Sequence, residues 1–246
     1  MDQPTKPSVL VVGASGATGR LLVGELLARG NRVTALVRSA DRLPADLLSD
    51  PHLSVLQAEI LSLDATELGR LTHDCDAIAS CLGHNATWRG IFGPPYRLVT
   101  GATRRLTGVL KNRDGDMPAR FVLMNSAGNS NRDLPEPISL SQRIVIGMIR
   151  LLIQPHADNE AAADFLRTGI GRDDESLEWC VVRPDTLTNE TGEAGYQLFA
   201  SPIRSAIFDP GRTSRQNVAR FMADLLTDRE IWREWRGRMP VIYDTQ

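Results

Sequence analysis

Apolar and polar positions along this chain fall into two alternating patterns. Short, largely apolar stretches at Val9–Val12, Val33–Val37, Leu53–Glu59, Asp76–Leu82, Arg120–Asn125, Trp179–Val182 and Val241–Tyr243 predict strands. Between them lie stretches with helical spacing. Leu21, Leu22, Leu26 and Leu27 form the apolar side of a first helix, closed by Gly30. Asp64, followed three residues later by Glu67, has the spacing of a capping box and opens a second helix. Leu98–Leu110, Leu140–Ile153 and Asp158–Arg167 follow, with Pro155 expected to break the chain between the last two. Thr213 with Gln216 repeats the capping-box spacing and starts a helix running through Leu226. Asp185–Gly211 reads as irregular. Strands that alternate with helices predict an α/β fold built on a doubly wound parallel sheet. One domain is the economical reading, with a core over about 7–184 and a small C-terminal elaboration over about 185–246.

The first strand runs directly into Gly13, Gly16 and Gly19, spaced G-x-x-G-x-x-G, and then into the first helix. A strand, a glycine turn and a helix N-terminus in that order form a Rossmann-type site for a pyrophosphate. Glycines permit a tight turn and close backbone approach, and the free N–H groups face the anion. Ser15 and Thr18 add hydroxyl donors, and Ala17 completes the turn. A structural turn without a ligand is the alternative. The purely apolar strand and the amphipathic helix that follows favour the ligand.

The end of the second strand selects the cofactor in such a fold. An acid there bonds the ribose 2′-hydroxyl of NAD, whereas an arginine pairs with the 2′-phosphate of NADP. Arg38 holds this place, nineteen residues beyond Gly19, with Arg20 and Arg42 as helpers, and Asp41 lies beyond the strand end. NADP(H) is the expected cofactor. The fourth strand ends in Cys81-Leu82-Gly83, small residues beside which a cofactor can lie. Nothing nearby in sequence would lower the Cys81 pKa, so packing is its expected role. The fifth strand delivers Asn125-Ser126-Ala127-Gly128 to the same edge.

Composition narrows the classes. Apolar residues make up 42% and charged residues 24%, as in globular proteins, and the net charge of −2 gives no electrostatic case for nucleic acid or an anionic membrane. The first residues, MDQPTKPS, lack the apolar core of a signal peptide, and Ile138–Ile153 is too short and too interrupted to span a bilayer. Three cysteines without C-x-x-C spacing argue against a disulfide framework or a zinc site, and fit a reducing cytoplasm. The expected partner is a small-molecule substrate. Asn85–Tyr96, with Trp88, Phe92, Pro94, Pro95 and Tyr96, fits a substrate wall or packing beneath a loop equally well. The many-sided apolar Leu140–Ile153 helix belongs to the core or to a homodimer interface.

At this point the residues resemble a family: the atypical short-chain dehydrogenase/reductases, in particular their NAD(P)H-binding, NmrA-like and flavin-reductase-like members. The resemblance covers nearly the whole chain. It rests on GASGATG at Gly13–Gly19, VTALVRSADRLP at Val33–Pro44, AEIL at Ala58–Leu61, NSAG at Asn125–Gly128 and VVRP at Val181–Pro184. The segment Val33–Pro44 is especially similar to biliverdin-IXβ reductase. The resemblance implies adenine contacts at Glu59 and Ile60, where the family usually has Asp-Val, and cofactor contacts at Asn125, Asn159 and Pro184. It also marks Ser126 as the family serine. The chain departs from the family at the Tyr-x-x-x-Lys pair, whose positions fall on Pro155 and Asn159. That departure argues against an ordinary alcohol dehydrogenase.

Hydride chemistry then belongs to the cofactor, while the protein supplies orientation and electrostatics. Ser126 is the first candidate for a polar contact to substrate, weighed against a serine that only caps a turn. His156, His84, Tyr96 and Tyr196 are candidates for the missing proton donor. Three functions fit, in order: an NADPH-dependent oxidoreductase acting on a flavin, quinone or conjugated carbonyl compound; a non-catalytic NADP(H)-binding regulator of the NmrA-like kind; and an epimerase or dehydratase of nucleotide-linked sugars.

Overall fold

The computed structural model describes residues 6–84, 93–113, 117–136, 145, 147–148, 154–190 and 195–245. Its centre is an eight-stranded sheet. In chain order the elements are β1 (Ser8–Val12), α1 (Ala17–Ala28), β2 (Arg32–Val37), the short α2 (Ala45–Leu48), β3 (Leu53–Gln57), α3 (Ala65–Thr72), β4 (Ala77–Ser80), α4 (Leu98–Lys111), β5 (Ala119–Met124), α5 (Gln154–Asp164), β6 (Leu177–Pro184), β7 (Thr186–Thr188), β8 (Tyr196–Phe199), β9 (Arg212–Ser214), α6 (Arg215–Thr227), α7 (Arg229–Trp235) and β10 (Val241–Asp244). The sheet order is β3-β2-β1-β4-β5-β6-β10-β8, and β7 and β9 form a separate parallel pair. Every pairing in the large sheet is parallel except β10 with β8. This is the doubly wound, Rossmann-type arrangement expected from the alternation of strands and helices.

Register explains where the site lies. Val12 pairs with Leu36 on one side and with Ser80 on the other, Ser80 with Leu123, and Met124 with Val182. The C-terminal ends of β1, β2, β4, β5 and β6 therefore share one edge, where open α/β sheets bind ligands.

Strand alternation sends side chains to two apolar layers. Val9 and Val11 pack with Leu22, Leu26, Phe221 and Met222, so α1 and α6 cover one face. Leu10 and Val12 pack with Val99, Leu106, Phe121 and Leu166, so α4 and the chain following α5 cover the other. Residues after Pro184 add α6, α7 and β10 to this sheet and its core.

Several boundaries differ from expectation for local reasons. Asp64 and Glu67 do form a reciprocal capping box, with bonds of 2.8 and 2.7 Å. At α6, however, the cap is Ser214, whose Oγ accepts from Asn217 N–H, while the Thr213 hydroxyl of β9 donates to the Ile242 carbonyl of β10. Tertiary pairing thus shifts the cap by one residue. The described part of α5 runs from Gln154 rather than from Asp158, and includes Pro155. The stretch expected to be irregular contains β7 and β8, and α7 was not anticipated; Asp228 caps it by accepting from Glu230 and Ile231. Of the apolar helix expected over 140–153, only Val145, Gly147 and Met148 are described, all helical; the rest, and Trp88 and Phe92, lie outside the described residues.

Candidate functional site

The glycine turn is built by exclusion of side chains. Gly13 has φ 75°, and a Cβ there would lie 2.7 Å from the Cys81 carbonyl oxygen. A Cβ on Gly19 would lie 2.2 Å from the Gly13 carbonyl oxygen. These glycines hold β1, the β4 end and the start of α1 in contact, which any larger residue would push apart. Gly16 is the N-cap of α1 and offers no side-chain acceptor, so the first N–H groups of the helix remain for an anion. Gly83 differs, because a Cβ on it would meet nothing within 4 Å. It forms an open wall against which a ligand can lie.

A cleft opens over this turn. Gly13, Ser15, Gly16, Arg38, Glu59 and Gly83 line it. Arg42, Ile60, Cys81 and Leu82 contribute to the same walls. The side chains of Arg38 and Arg42 are exposed at the β2 end, and the nearby Asp41 accepts from Ser39 Oγ at 3.3 Å. Backbone donors at one end and two guanidinium groups at the other suit a dinucleotide with a phosphate on its ribose. Ile60 is buried and gives the cleft an apolar flank, while Glu59 is exposed. Thr18 is 4% exposed, in the first turn of α1. Arg20 projects from α1 as an exposed residue and does not line the cleft. Cys81 packs against Met222, and burial pushes its thiol up to about 12, which makes it an inert wall.

The other half of the site follows β5. Asn125 is bound on both sides of its amide: Nδ2 donates to the Asn159 carbonyl at 2.8 Å, and Oδ1 accepts from Ser126 N–H and from Asn129. Its side chain ties β5 to α5, which limits it to positioning. Ser126 is half-buried, and its Oγ accepts from Gly128 N–H at 3.2 Å. The serine therefore does cap a turn, and its hydroxyl proton remains to be donated. A Cβ on Gly128 would sit 3.5 Å from Ser126 Oγ and 3.7 Å from His156 Cε1, so Ser126 and His156 flank the same glycine. Asn159 lies one turn further along α5. Pro184 ends β6, with its carbonyl accepting from Ala127 N–H, and is buried within the sheet. Tyr96 is exposed, just before α4.

Tyr196 is not a loop tyrosine. It sits in β8, packs against Phe221 and donates to Asp224, and burial together with that bond pushes its phenol above the ordinary range. Its hydroxyl is engaged by Asp224 of α6. The buried Arg183 ties the chain beyond Ser126 in place, with bonds to the carbonyls of Asn129, Ala200 and Met239 and an ion pair to Glu136 at 2.8 Å.

One residue at this edge was missed. Asp158, 3% exposed, faces inward from α5 and lies 2.9 Å from His84 Nε2. A signal existed, because Asp158, Ala162 and Leu166 recur every four residues on the buried stripe of the helix. A carboxylate on an apolar face requires partners.

With this geometry in view, comparison with known proteins is informative. The model of an NAD(P)H-binding family matches residues 13–229. The divinyl chlorophyllide a 8-vinyl-reductase of Zea mays is 26% identical over 243 residues, covering 92% of this chain and 53% of that protein. The Oryza sativa subsp. indica enzyme of the same name gives 26% over 242 residues, 92% of this chain and 52% of its own length. The chain thus spans about half the length of the curated relatives it matches. Among solved structures, a wide-type short-chain dehydrogenase/reductase from Veillonella parvula in complex with NADP superposes with TM-score 0.69 at 15% identity, covering 97% of this chain and 95% of the other. An anaerobillin reductase from Escherichia coli O157:H7 gives TM-score 0.67 at 18% identity, with coverage of 97% and 98%. Among the described residues no helix is long and apolar enough to cross a membrane.

Proposed function

This chain belongs to the NAD(P)H-binding family, and on that premise we propose that it is an NADPH-dependent reductase that passes a hydride to a small conjugated acceptor such as a flavin, quinone or enone. The observation that carries the reading is the cleft itself. A glycine turn closed to every side chain opens toward Arg38 and Arg42, and Arg38 rather than an acid directly follows β2. In this reading the turn from Gly13 through Ala17 and Thr18 to Gly19 holds the pyrophosphate, and Arg38 pairs with the 2′-phosphate. Glu59 and Ile60 border the adenine. Cys81, Leu82, Gly83, Asn159 and Pro184 surround the nicotinamide end, and Asn125 positions it. Bound NADPH would supply the hydride and its electron pair.

Ser126 then donates a hydrogen bond from its hydroxyl to the carbonyl or ring heteroatom of the acceptor, and His156 and Tyr96 border the acceptor from α5 and from the chain before α4. Pro155 and Asn159 in place of a tyrosine and a lysine support an acceptor whose reduction needs no strongly polarised carbonyl. The names of the relatives support the same chemistry, since one group reduces a vinyl substituent of a chlorophyllide and another protein an anaerobillin.

The test is NADPH oxidation, followed at the reduced-nicotinamide absorbance, against flavins, quinones and enones, with cofactor affinity titrated in parallel. Turnover with one acceptor, reduced at least tenfold in Ser126→Ala while NADPH affinity holds, supports the reading. Tight NADPH binding without turnover across the panel favours a cofactor-sensing regulator instead.

A further inference from the structure

The polar contacts around the site converge on Asp158. Its Oδ2 accepts from Val99 N–H at 2.7 Å, its Oδ1 from Thr100 N–H at 3.0 Å, and its own carbonyl accepts from the Thr100 hydroxyl at 2.8 Å. The carboxylate thus occupies the N-terminal turn of α4, where N–H groups lack intrahelical partners and favour a negative charge. The same Oδ2 lies 2.9 Å from Nε2 of His84, and the two side chains are 1% and 5% exposed. An ionised carboxylate only accepts, so Nε2 carries the proton in this pair. The ring must exchange its other proton at Nδ1.

The position of the pair matters as much as its geometry. His84 directly follows Gly83, the open wall of the cleft, and Asp158 directly precedes Asn159, whose carbonyl holds Asn125 beside Ser126. The pair therefore stands between the two halves of the site. A buried carboxylate that fixes one imidazole nitrogen and leaves the other for proton exchange is the arrangement general acids and bases use.

We propose that His84, oriented by Asp158, is the proton donor of the reduction and takes the place of the absent tyrosine–lysine pair; this rests on the reductase reading above. The acceptor gains two electrons and one hydrogen as hydride, while the nicotinamide cofactor is oxidised by two electrons. The negative charge that develops on the acceptor is quenched at its oxygen, nitrogen or carbon atom by His84. The Nδ1–H bond breaks, its electron pair stays on the ring, and the acceptor–H bond forms. His84 is left neutral, held through Nε2, and regains a proton from water. Asp158 acts through His84 and is a positioning residue.

The decisive variant is His84→Gln. The glutamine amide can still donate to Asp158, so the structural role is kept, but it cannot release a proton. With the acceptor found for the parent protein, kcat should fall about 100-fold while the NADPH dissociation constant and the acceptor KM stay within about twofold. Added imidazole should restore turnover in His84→Ala. A readout independent of activity is nitrogen-15 spectroscopy of the histidine rings in the cofactor-free protein, with the His84 signals assigned by their loss in His84→Gln. The neutral ring should be the Nε2–H tautomer. Four results would each overturn the proposal: a kcat for His84→Gln near that of the parent, a kcat loss matched by lost NADPH affinity, absence of imidazole rescue, or an Nδ1–H tautomer. A parent protein that reduces no acceptor defeats the reductase reading and this proposal together, whereas an active parent with an active His84→Gln defeats this proposal alone.

Discussion

The two halves of the site are made differently. Around β1 the chemistry belongs to the backbone: Gly13, Gly16 and Gly19 act by what they lack, and neighbours in sequence build the turn. Around β4, α4, β5 and α5 the chemistry belongs to side chains that meet across the fold. His84 and Asp158 are 74 residues apart, and Val99 and Asp158 are 59 apart. The first half can bind a cofactor shared by many enzymes, and local constraint suffices for that. On the proposed reading the second half defines the acceptor and its proton path, which requires rigid placement from several elements at once.

This comparison can be broken most forcefully at Asp158. Asp158→Ala leaves His84 and two helix N–H groups without their acceptor, and it should cost about 3 kcal/mol of folding stability. Calorimetry that finds the parent melting temperature would show that the side-chain network is not what holds the second half. In the first half, Gly19→Ala should cost about 2 kcal/mol through the clash of its Cβ with the Gly13 carbonyl. NADPH affinity should fall more than tenfold with it, as read by fluorescence titration. Retained affinity would mean that the turn tolerates a side chain and that the exclusion argument is wrong.

Arg38→Ala sharpens the contrast, since an exposed arginine should change binding and leave stability alone. The NADP-to-NAD affinity ratio should drop about tenfold, near 1.4 kcal/mol, with an unchanged melting curve. An unchanged ratio would remove Arg38 from cofactor selection. The smallest effect is expected at Cys81. With its thiol pushed up to about 12 by burial, it stays protonated at pH 8, well below that value, and should resist iodoacetamide in the folded protein. Mass spectrometry of the alkylated native protein would detect a departure.

How much could be read in advance follows the same division. The glycine turn, Arg38 at the strand end and the Asp64–Glu67 capping box depend on residues within a few positions of one another, and pattern alone located them. The doubly wound, parallel character of the sheet followed from the alternation of strands and helices. Ser214, rather than Thr213, caps α6 because Thr213 is taken by a bond to Ile242, a partner 29 residues away. Tyr196 reads as a loop residue until β10 pairs with β8 and draws its phenol to Asp224. Asp158 sits beside Asn159, a residue already singled out, yet its role became visible only once α5 lay against α4. Local rules carry the cofactor side; contacts across the sheet edge decide the rest.

The account stands or falls on one titration followed by one assay: NADPH and NADH binding to the protein, then oxidation of the tighter cofactor against flavins, quinones and enones. The expected result is tighter binding of NADPH and its oxidation by at least one conjugated acceptor. Equal binding of the two cofactors, or firm NADPH binding with no acceptor reduced, would contradict it.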